Sequence, residues 1–301
     1  LIKCKKILIT YYLLLTTYCL SATDGTAGFQ FLKIRSGARP ASLSEAFTGV
    51  MEGADTLQYN PAGLGNLKKT EIQFSSDFLW QDIKFNSFEI VSPLSDVFSA
   101  GIGYKSLTAG DMSRDAYGDE LGAIDFNDEA ITLGLSVKLS EKYITGFNFN
   151  SISRKIKIPG VSYKNSASSF DIGFGFMPNF RDSFGLVVKN IGNRSAFNGG
   201  GSTFEKEKLP LEVRMGGGHR LRPFMFSWDI ARKIDEQISG AAGLEYAVIK
   251  TLAFRAGVSY QKYVDISVGF GAKFSLFTVD YALLPQESLG LSHKISLNVK
   301  F

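Results

Sequence analysis

The chain has 301 residues, a formal charge of +4, 31 glycines, 8 prolines, 2 cysteines and 2 histidines. Beyond its first two dozen residues, no run approaches the about 18 consecutive apolar residues that a spanning helix needs, which excludes transmembrane helices. So few histidines and cysteines also leave little material for a metal centre or a nucleophilic site.

In chain order, the first expected element is a leader. Lys3, Lys5 and Lys6 precede an apolar stretch from Ile7 to Leu15, broken only by Thr10, and small residues follow at Ser21 and Ala22. This predicts a secretory signal peptide over 1–22, removed near Ser21 to Thr23. The apolar core is too short to span about 30 Å as an anchor. A lipoprotein site at Cys19 is disfavoured by the bulk of Tyr18 before it. Removal takes Cys4 and Cys19, and with them any disulfide, thiol nucleophile or cysteine metal site. It also takes three lysines, which brings the charge to about +1, so the basic balance carries no argument for nucleic-acid binding.

Residues 23–68 scarcely alternate. They hold Gly37, Arg39 and Pro40, then a stretch that predicts a short helix over 43–50 capped by Ser42 with Glu45 in its first turn. Turn signals follow at Asn60, Pro61 and Gly63. The reading is a compact N-terminal hatch ahead of a barrel.

From Thr70 onward the pattern is strand, turn, strand, with about fourteen strands. Ile131, Leu133, Leu135 and Val137 alternate with Thr132, Gly134, Ser136 and Lys138. Phe170–Phe176, Phe254–Gln261, Val264–Phe274 and Leu291–Phe301 repeat the rhythm. Most strands run about ten residues, the length a tilted strand needs to cross a bilayer. Short gaps alternate with long ones at 105–127, 155–165 and 192–208, as expected of a barrel with tight turns at one rim and extended loops at the other. A secreted sandwich alternates too, but uniformly long strands, a Gly/Ser/Asn-rich polar parity and a terminal aromatic, Phe301, favour the membrane barrel. The expected fold is thus all-β, a transmembrane antiparallel barrel over 69–301 of about 14 strands with a hatch over 23–68. Trp80 at a strand end suits an interfacial girdle; for Trp228, mid-strand, the alternatives are a lipid-facing ring and one packed inside.

Catalytic chemistry is thinly represented. His219 and His293 fall in separate strands, and Ser292 and His293, adjacent in sequence, point to opposite faces, so no triad is expected. The acidic stretch from Asp111 to Glu129 matches no calcium-loop spacing and reads as a solvated outer loop. No enzyme, cofactor or metal site is expected. Lys138, Asp171, Lys189, Arg214, Glu245, Arg255, Asp265 and Lys273 fall on the lumen parity; their mixed signs predict ion pairs among themselves or with the hatch, or a basic group for the carboxylate of an amphipathic ligand.

Several stretches resemble the PorV/PorQ family of the FadL-like outer-membrane superfamily. They are Ser36-Gly37-Ala38-Arg39-Pro40-Ala41-Ser42-Leu43-Ser44-Glu45-Ala46-Phe47-Thr48, Tyr59-Asn60-Pro61-Ala62-Gly63-Leu64, Val188 to Gly192, Leu209 to Arg214, and the ending from Asp280 to Ser296. Where relatives commonly carry an acidic pair, this chain has Met51-Glu52-Gly53-Ala54-Asp55. The resemblance implies a fourteen-stranded barrel in the outer membrane of a diderm bacterium. It also implies passive transport of hydrophobic or amphipathic molecules such as long-chain fatty acids. The alternative it implies is a component of a type IX-like protein secretion system. The partners are then membrane lipid, a hydrophobic small molecule in the lumen, or secretion proteins. Arg39 and Asn60 are expected to hold the hatch to the wall, with Gly37, Pro40, Pro61 and Gly63 shaping it for gating.

Overall fold

The computed structural model describes residues 27–79, 83–114, 117–199, 204–286 and 290–301. The expected signal peptide, Trp80 and the expected hatch residues before Ala27 lie outside them. Fourteen strands form the wall: β1 Glu71–Phe78, β2 Lys84–Pro93, β3 Phe98–Arg114, β4 Glu120–Lys138, β5 Tyr143–Ile158, β6 Val161–Phe176, β7 Asp182–Gly192, β8 Glu212–Leu221, β9 Phe224–Lys233, β10 Ser239–Ile249, β11 Leu252–Tyr260, β12 Val264–Phe274, β13 Phe277–Gln286 and β14 Gly290–Lys300. Each pairs antiparallel with its sequence neighbours. β14 closes on β1, with Glu71 opposite Lys300 and Phe78 opposite His293, so the sheet has no free edge.

The alternation fixes the faces. On β14, Ser292, Lys294, Ser296 and Asn298 are buried inward while Leu291, Ile295 and Leu297 are exposed. Around the wall the exposed residues are large and apolar: Ile102 is 57% exposed, Leu133 50% and Phe170 56%. Such a band is stable only against hydrocarbon. At the rim with the short turns it ends in a belt of rings. Tyr143 stacks on Phe176 at 5.1 Å, Phe176 on Phe184 at 6.3 Å, and Phe224 on Tyr246 at 4.9 Å. Aromatic residues favour this boundary because their bodies are apolar and their edges polar. Trp228 belongs to the outer face as well, the lipid-facing one of its two expected placements. Its ring lies over Gly217 of the neighbouring strand, where a side chain would collide with it. His293 is also on the outer face, where its Nδ1 meets the Tyr281 hydroxyl at 2.6 Å and its polarity is satisfied.

The long gaps read from the sequence are mostly strand. β3 and β4 pair continuously from Phe98–Val137 to Ser113–Gly122, and β5 with β6 from Tyr143–Phe176 to Ile158–Val161. The acidic stretch expected as a solvated loop is therefore largely hairpin. Its Asp128 faces inward and takes Arg154 at 2.7 Å and 2.8 Å, while Glu129 faces outward and accepts from Tyr104. Weak local strand propensity at Gly110, Asp111 and Asp125 is overridden by pairing to an already formed ladder. In consequence four neighbouring strands, β3 to β6, rise well above the others at the loop rim.

Inside the barrel sits the chain before β1. From Ala27 to Leu67 it is almost wholly buried and forms a plug. It contains two short helices, α1 Ala38–Ser42 and α2 Thr56–Tyr59, and 3₁₀ turns at Gln30–Lys33 and Pro61–Asn66. The helix expected over 43–50 does not form. The helical turn lies earlier, with Pro40 inside its first turn, where no backbone donor is needed. Ser44 and Glu45 take left-handed φ values of 51° and 63°, which a right-handed helix does not accommodate.

Candidate functional site

The plug meets the wall in two ways. On one arc the Pro61–Asn66 turn lies against β2 to β6. Asn60 organises it: its Oδ1 accepts from the Ala62 amide at 3.1 Å, and its Nδ2 donates to the carbonyls of Thr48 at 3.1 Å and Phe174 at 3.2 Å. Pro61 presses main chain to main chain against Gly146, where any Cβ would overlap it, and Gly63 packs against the Thr56 side chain. Asn148 donates to the Leu57 carbonyl at 2.9 Å. Lys189 donates to the Gln58 carbonyl. Asp171 is buried and accepts from Asn148 and from the Asn190 amide, which braces the bulge between β6 and β7.

On the other arc α1 packs on β11 to β14, and charge dominates. Gly37 enters α1 with a φ of 93°, a left-handed value that costs glycine little. Arg39 reaches Glu245 at 2.9 Å, and Glu245 also takes Arg255 at 2.6 Å, which in turn holds Asp280 at 2.7 Å. Arg39 and Arg220 both pair with Glu52. Deeper, Arg35 bridges Glu45 and Glu212, and Arg214 pairs with Asp229 at 2.6 Å and donates to the Glu45 carbonyl. Lys294 holds Asp77 at 2.8 Å and donates to the Arg35 carbonyl. Burial works against the charge of Glu52, but the Arg39 and Arg220 guanidinium groups outweigh it and hold its carboxyl down to about 2. Asp55 is the opposite case. Burial pushes it up to about 7, and the hydrogen bond from Gln73 at 2.6 Å offsets only part of that.

Of the lumen charges expected from parity, Asp171, Lys189, Arg214, Glu245 and Arg255 come together around the plug. Three do not. Lys138 turns to Glu141 at 3.0 Å on the adjoining turn. Asp265 and Lys273 are exposed at opposite rims, because parity fixes a side chain's face and not its height. Sequence reasoning missed Arg35, Glu212, Asp229, Lys294 and Glu89, which accepts from the Ser36 hydroxyl at 2.7 Å. Glu212 shares the parity of Arg214 and Lys294 that of Ser292; on β9 no residue of the Asp229 parity was singled out. Among the described residues no group of histidine, cysteine and carboxylate has a metal-holding arrangement.

Two spaces adjoin the plug, and a third lies at the loop rim. A cavity of about 220 Å³ lies on the loop side of α1, between Ala41, Ser44 and Glu45 of the plug and wall residues such as Ser259, Asp265 and Ser267. One of about 160 Å³ lies on its turn side, between Arg39 and Asp55 and the wall residues Glu245, Lys273 and Thr278. The helix α1 thus separates them. The third, about 640 Å³ and open, lies at the loop rim beside Ile156, Tyr163, Phe197 and Phe204. Below it an apolar cluster joins Phe29, Phe31 and Leu32 of the plug to Leu107, Ala130, Ile152, Ala167 and Leu209. Arg154 lies over the Phe29 ring at 5.1 Å and Lys105 over that of Phe31 at 5.7 Å.

No family model matches the chain, and no curated protein does. Solved structures do. The chain is similar to the CymD monoaromatic hydrocarbon channel (TM-score 0.67, 11% identity, 89% of this chain and 98% of that one). It is also similar to the P. putida toluene transporter TodX (0.63, 12%, 86% and 98%). A third is a Pseudomonas aeruginosa FadL homologue (0.61, 12%, 94% and 99%). At such identities the shared property is the fold: a fourteen-stranded transmembrane barrel.

Proposed function

We propose that this barrel lies in the outer membrane of a diderm bacterium and lets apolar or amphipathic small molecules, such as long-chain fatty acids, cross it passively. The observation that carries this reading is the apolar lining at the loop rim. The pocket between Tyr163, Phe197 and Phe204 on one side and Glu205, Lys206 and Glu207 on the other opens outward, and the apolar cluster around Phe29, Phe31 and Leu32 lies below it. The fold shared with channels described as carrying hydrocarbons and toluene supports it. In this orientation the short turns face the periplasm and the loop rim faces outward.

The mechanism needs no energy input. A molecule leaves water for the aromatic pocket and gains by burial, about 25 cal/mol per Å². Lys105 and Arg154, whose cations border the apolar cluster, would meet a carboxylate head group. Passage further requires α1 to shift, since it stands between the outer and inner cavities. The Arg39–Glu245 and Arg39–Glu52 pairs are the contacts that such a shift must break.

Liposomes bearing the purified full chain test this. Labelled oleate should accumulate faster than in liposomes bearing an unrelated empty barrel, and Tyr163→Ala with Phe204→Ala should slow it. Uptake equal to that of the control barrel would refute the reading. A part in protein export is the weaker alternative. The tall β3 to β6 wall offers a docking face for it, and co-purification of the chain with an exported protein would favour it.

A further inference from the structure

The outer face of β4 to β6 carries a second feature, independent of what crosses the lumen. Ascending from the membrane, the rungs read Leu133–Phe149–Phe170, then Ile131–Ser151–Ser168, then Glu129–Ser153–Ser166. Next come Asn127–Lys155–Lys164 and Asp125–Lys157–Ser162. Lys155 and Lys164 are thus direct cross-strand partners with both side chains exposed. Like charges placed opposite each other on a sheet repel. None of the three lysines has an ion pair among the described residues. Glu129 is engaged by the Tyr104 hydroxyl at 3.2 Å and by Asn127 at 3.0 Å, and Asp125, across from Lys157, does not close a salt bridge with it.

The height of this pair is informative. It stands six residues above Phe149 and Phe170 on its own strands and four above Ile131 on β4, about 13–20 Å along the strand and about 10–15 Å in height at a tilt near 40°. Lipid head groups occupy about 5–8 Å beyond the hydrocarbon. Lysine stems bend toward such a boundary and carry their ammonium groups into it. The backbone beneath is fixed: Lys164 exchanges both of its main-chain hydrogen bonds with Asn198 of the loop after β7, at 2.9 Å and 2.8 Å. The serines at 151, 153, 166 and 168 supply hydroxyl donors between the lysines and the apolar band.

We propose that Lys155 and Lys164, aided by Lys157, bind the phosphate groups of an outer-leaflet lipid and hold it against the β4–β6 wall. Two unneutralised cations on a rigid ladder, above hydroxyls and an apolar face, match a phosphate above acyl chains. A free anion would have no use for the apolar face below.

The test is native mass spectrometry of the full chain in detergent, with bis-phosphorylated lipid A as the probe. The wild type should retain it, and should not retain the same glycolipid after its phosphates are removed. Lys155→Ser with Lys164→Ser should weaken retention about thirtyfold. Lys142→Ser, on an opposite-rim turn, should leave it unchanged. Millimolar inorganic phosphate should not displace the lipid; displacement would overturn the lipid assignment. Equal retention by a double variant that keeps the folded, heat-modifiable migration would also overturn it, as would equal binding of the dephosphorylated lipid by the wild type. Should the serine variant not fold, Lys155→Arg with Lys164→Arg must retain the lipid, and the dephosphorylated probe on the wild type decides independently.

Discussion

The β2–β6 arc and the β8–β14 arc hold the same plug by different physics. On the first, contacts are neutral and close: Asn60 to Phe174, Asn148 to Leu57, and Pro61 against the Gly146 backbone. On the second, ion pairs are added to close packing: Arg35 with Glu212, Arg214 with Asp229 and Arg39 with Glu245 stand beside Leu43 against Gly257 and Gly49 against the Gly217 backbone. Neutral main-chain packing has no alternative arrangement that water stabilises. Ion pairs do, since each separated charge is well hydrated, and their net worth against water is small unless they are deeply buried. Both cavities adjoining α1 lie along the second arc. On the transport reading proposed above, the half-buried Arg39 pairs beside these cavities, and not the deep Arg35 and Arg214 pairs, are the contacts expected to open.

The largest test removes a buried charge. Arg214→Met leaves Asp229 buried without its cation, while Glu212 keeps Arg35, and should cost about 3–5 kcal/mol. Urea unfolding in lipid, followed by tryptophan fluorescence, measures it. A loss below about 1 kcal/mol would mean that the deep pairs are not holding the plug.

Next comes pH. Asp55 has a raised carboxyl near 7, so between pH 4 and 7 the folded chain keeps a proton that the unfolded chain has released. Stability from this group is therefore full below about pH 4 and falls as pH rises toward 7, by up to about 1.4 kcal/mol per unit. Glu52 has the opposite sign. Its held-down carboxyl stabilises above about pH 4.5, and that is lost as pH falls toward 2. Asp55→Asn should flatten the slope between pH 4 and 7 and leave the acid limb in place. An unchanged slope would show that Asp55 titrates normally.

On the β2–β6 arc, Gly146→Val forces a side chain into the Pro61 main chain and should destabilise by about 2 kcal/mol. A control at Gly160, on an open turn where nothing lies within reach of a Cβ, separates packing from loss of glycine, although its φ of 81° carries a strain of its own. The smallest effect is on Arg39. Arg39→Gln should weaken the closed plug by about 1 kcal/mol and raise oleate flux roughly fivefold, with the melting temperature little changed. A flux unchanged or lower would place the moving contact elsewhere.

The wall was highly legible in the sequence. The alternation of Leu291 to Phe301, or of Val264 to Phe274, fixes both strand and face, because a period of two has one structural reading at that length. The rise of β3 to β6 was not legible, since Asp111 and Gly110 look like loop until a partner strand is present. The plug was legible as a break in alternation, and Asn60 as a turn residue. Its ionic arc was only half visible. Arg214 and Glu245 carry the lumen parity, but their bonds to Asp229, Glu45 and Arg39 join residues up to 206 positions apart, and no local pattern encodes such pairs. The helix expected over 43–50 fell to the left-handed Ser44 and Glu45, whose conformation serves the Ser267 and Arg214 contacts.

One further consequence concerns the plug's tether. The plug precedes β1, Gly28 is tied to Lys208 near the loop rim, and Phe301 ends the chain bonded to Thr70 just before β1 at the turn rim. The tether between stopper and cylinder is short, from Leu67 to Glu71, and it joins the wall beside the β1–β14 seam, so the ladder from Glu71–Lys300 to Phe78–His293 fixes the point from which the stopper hangs.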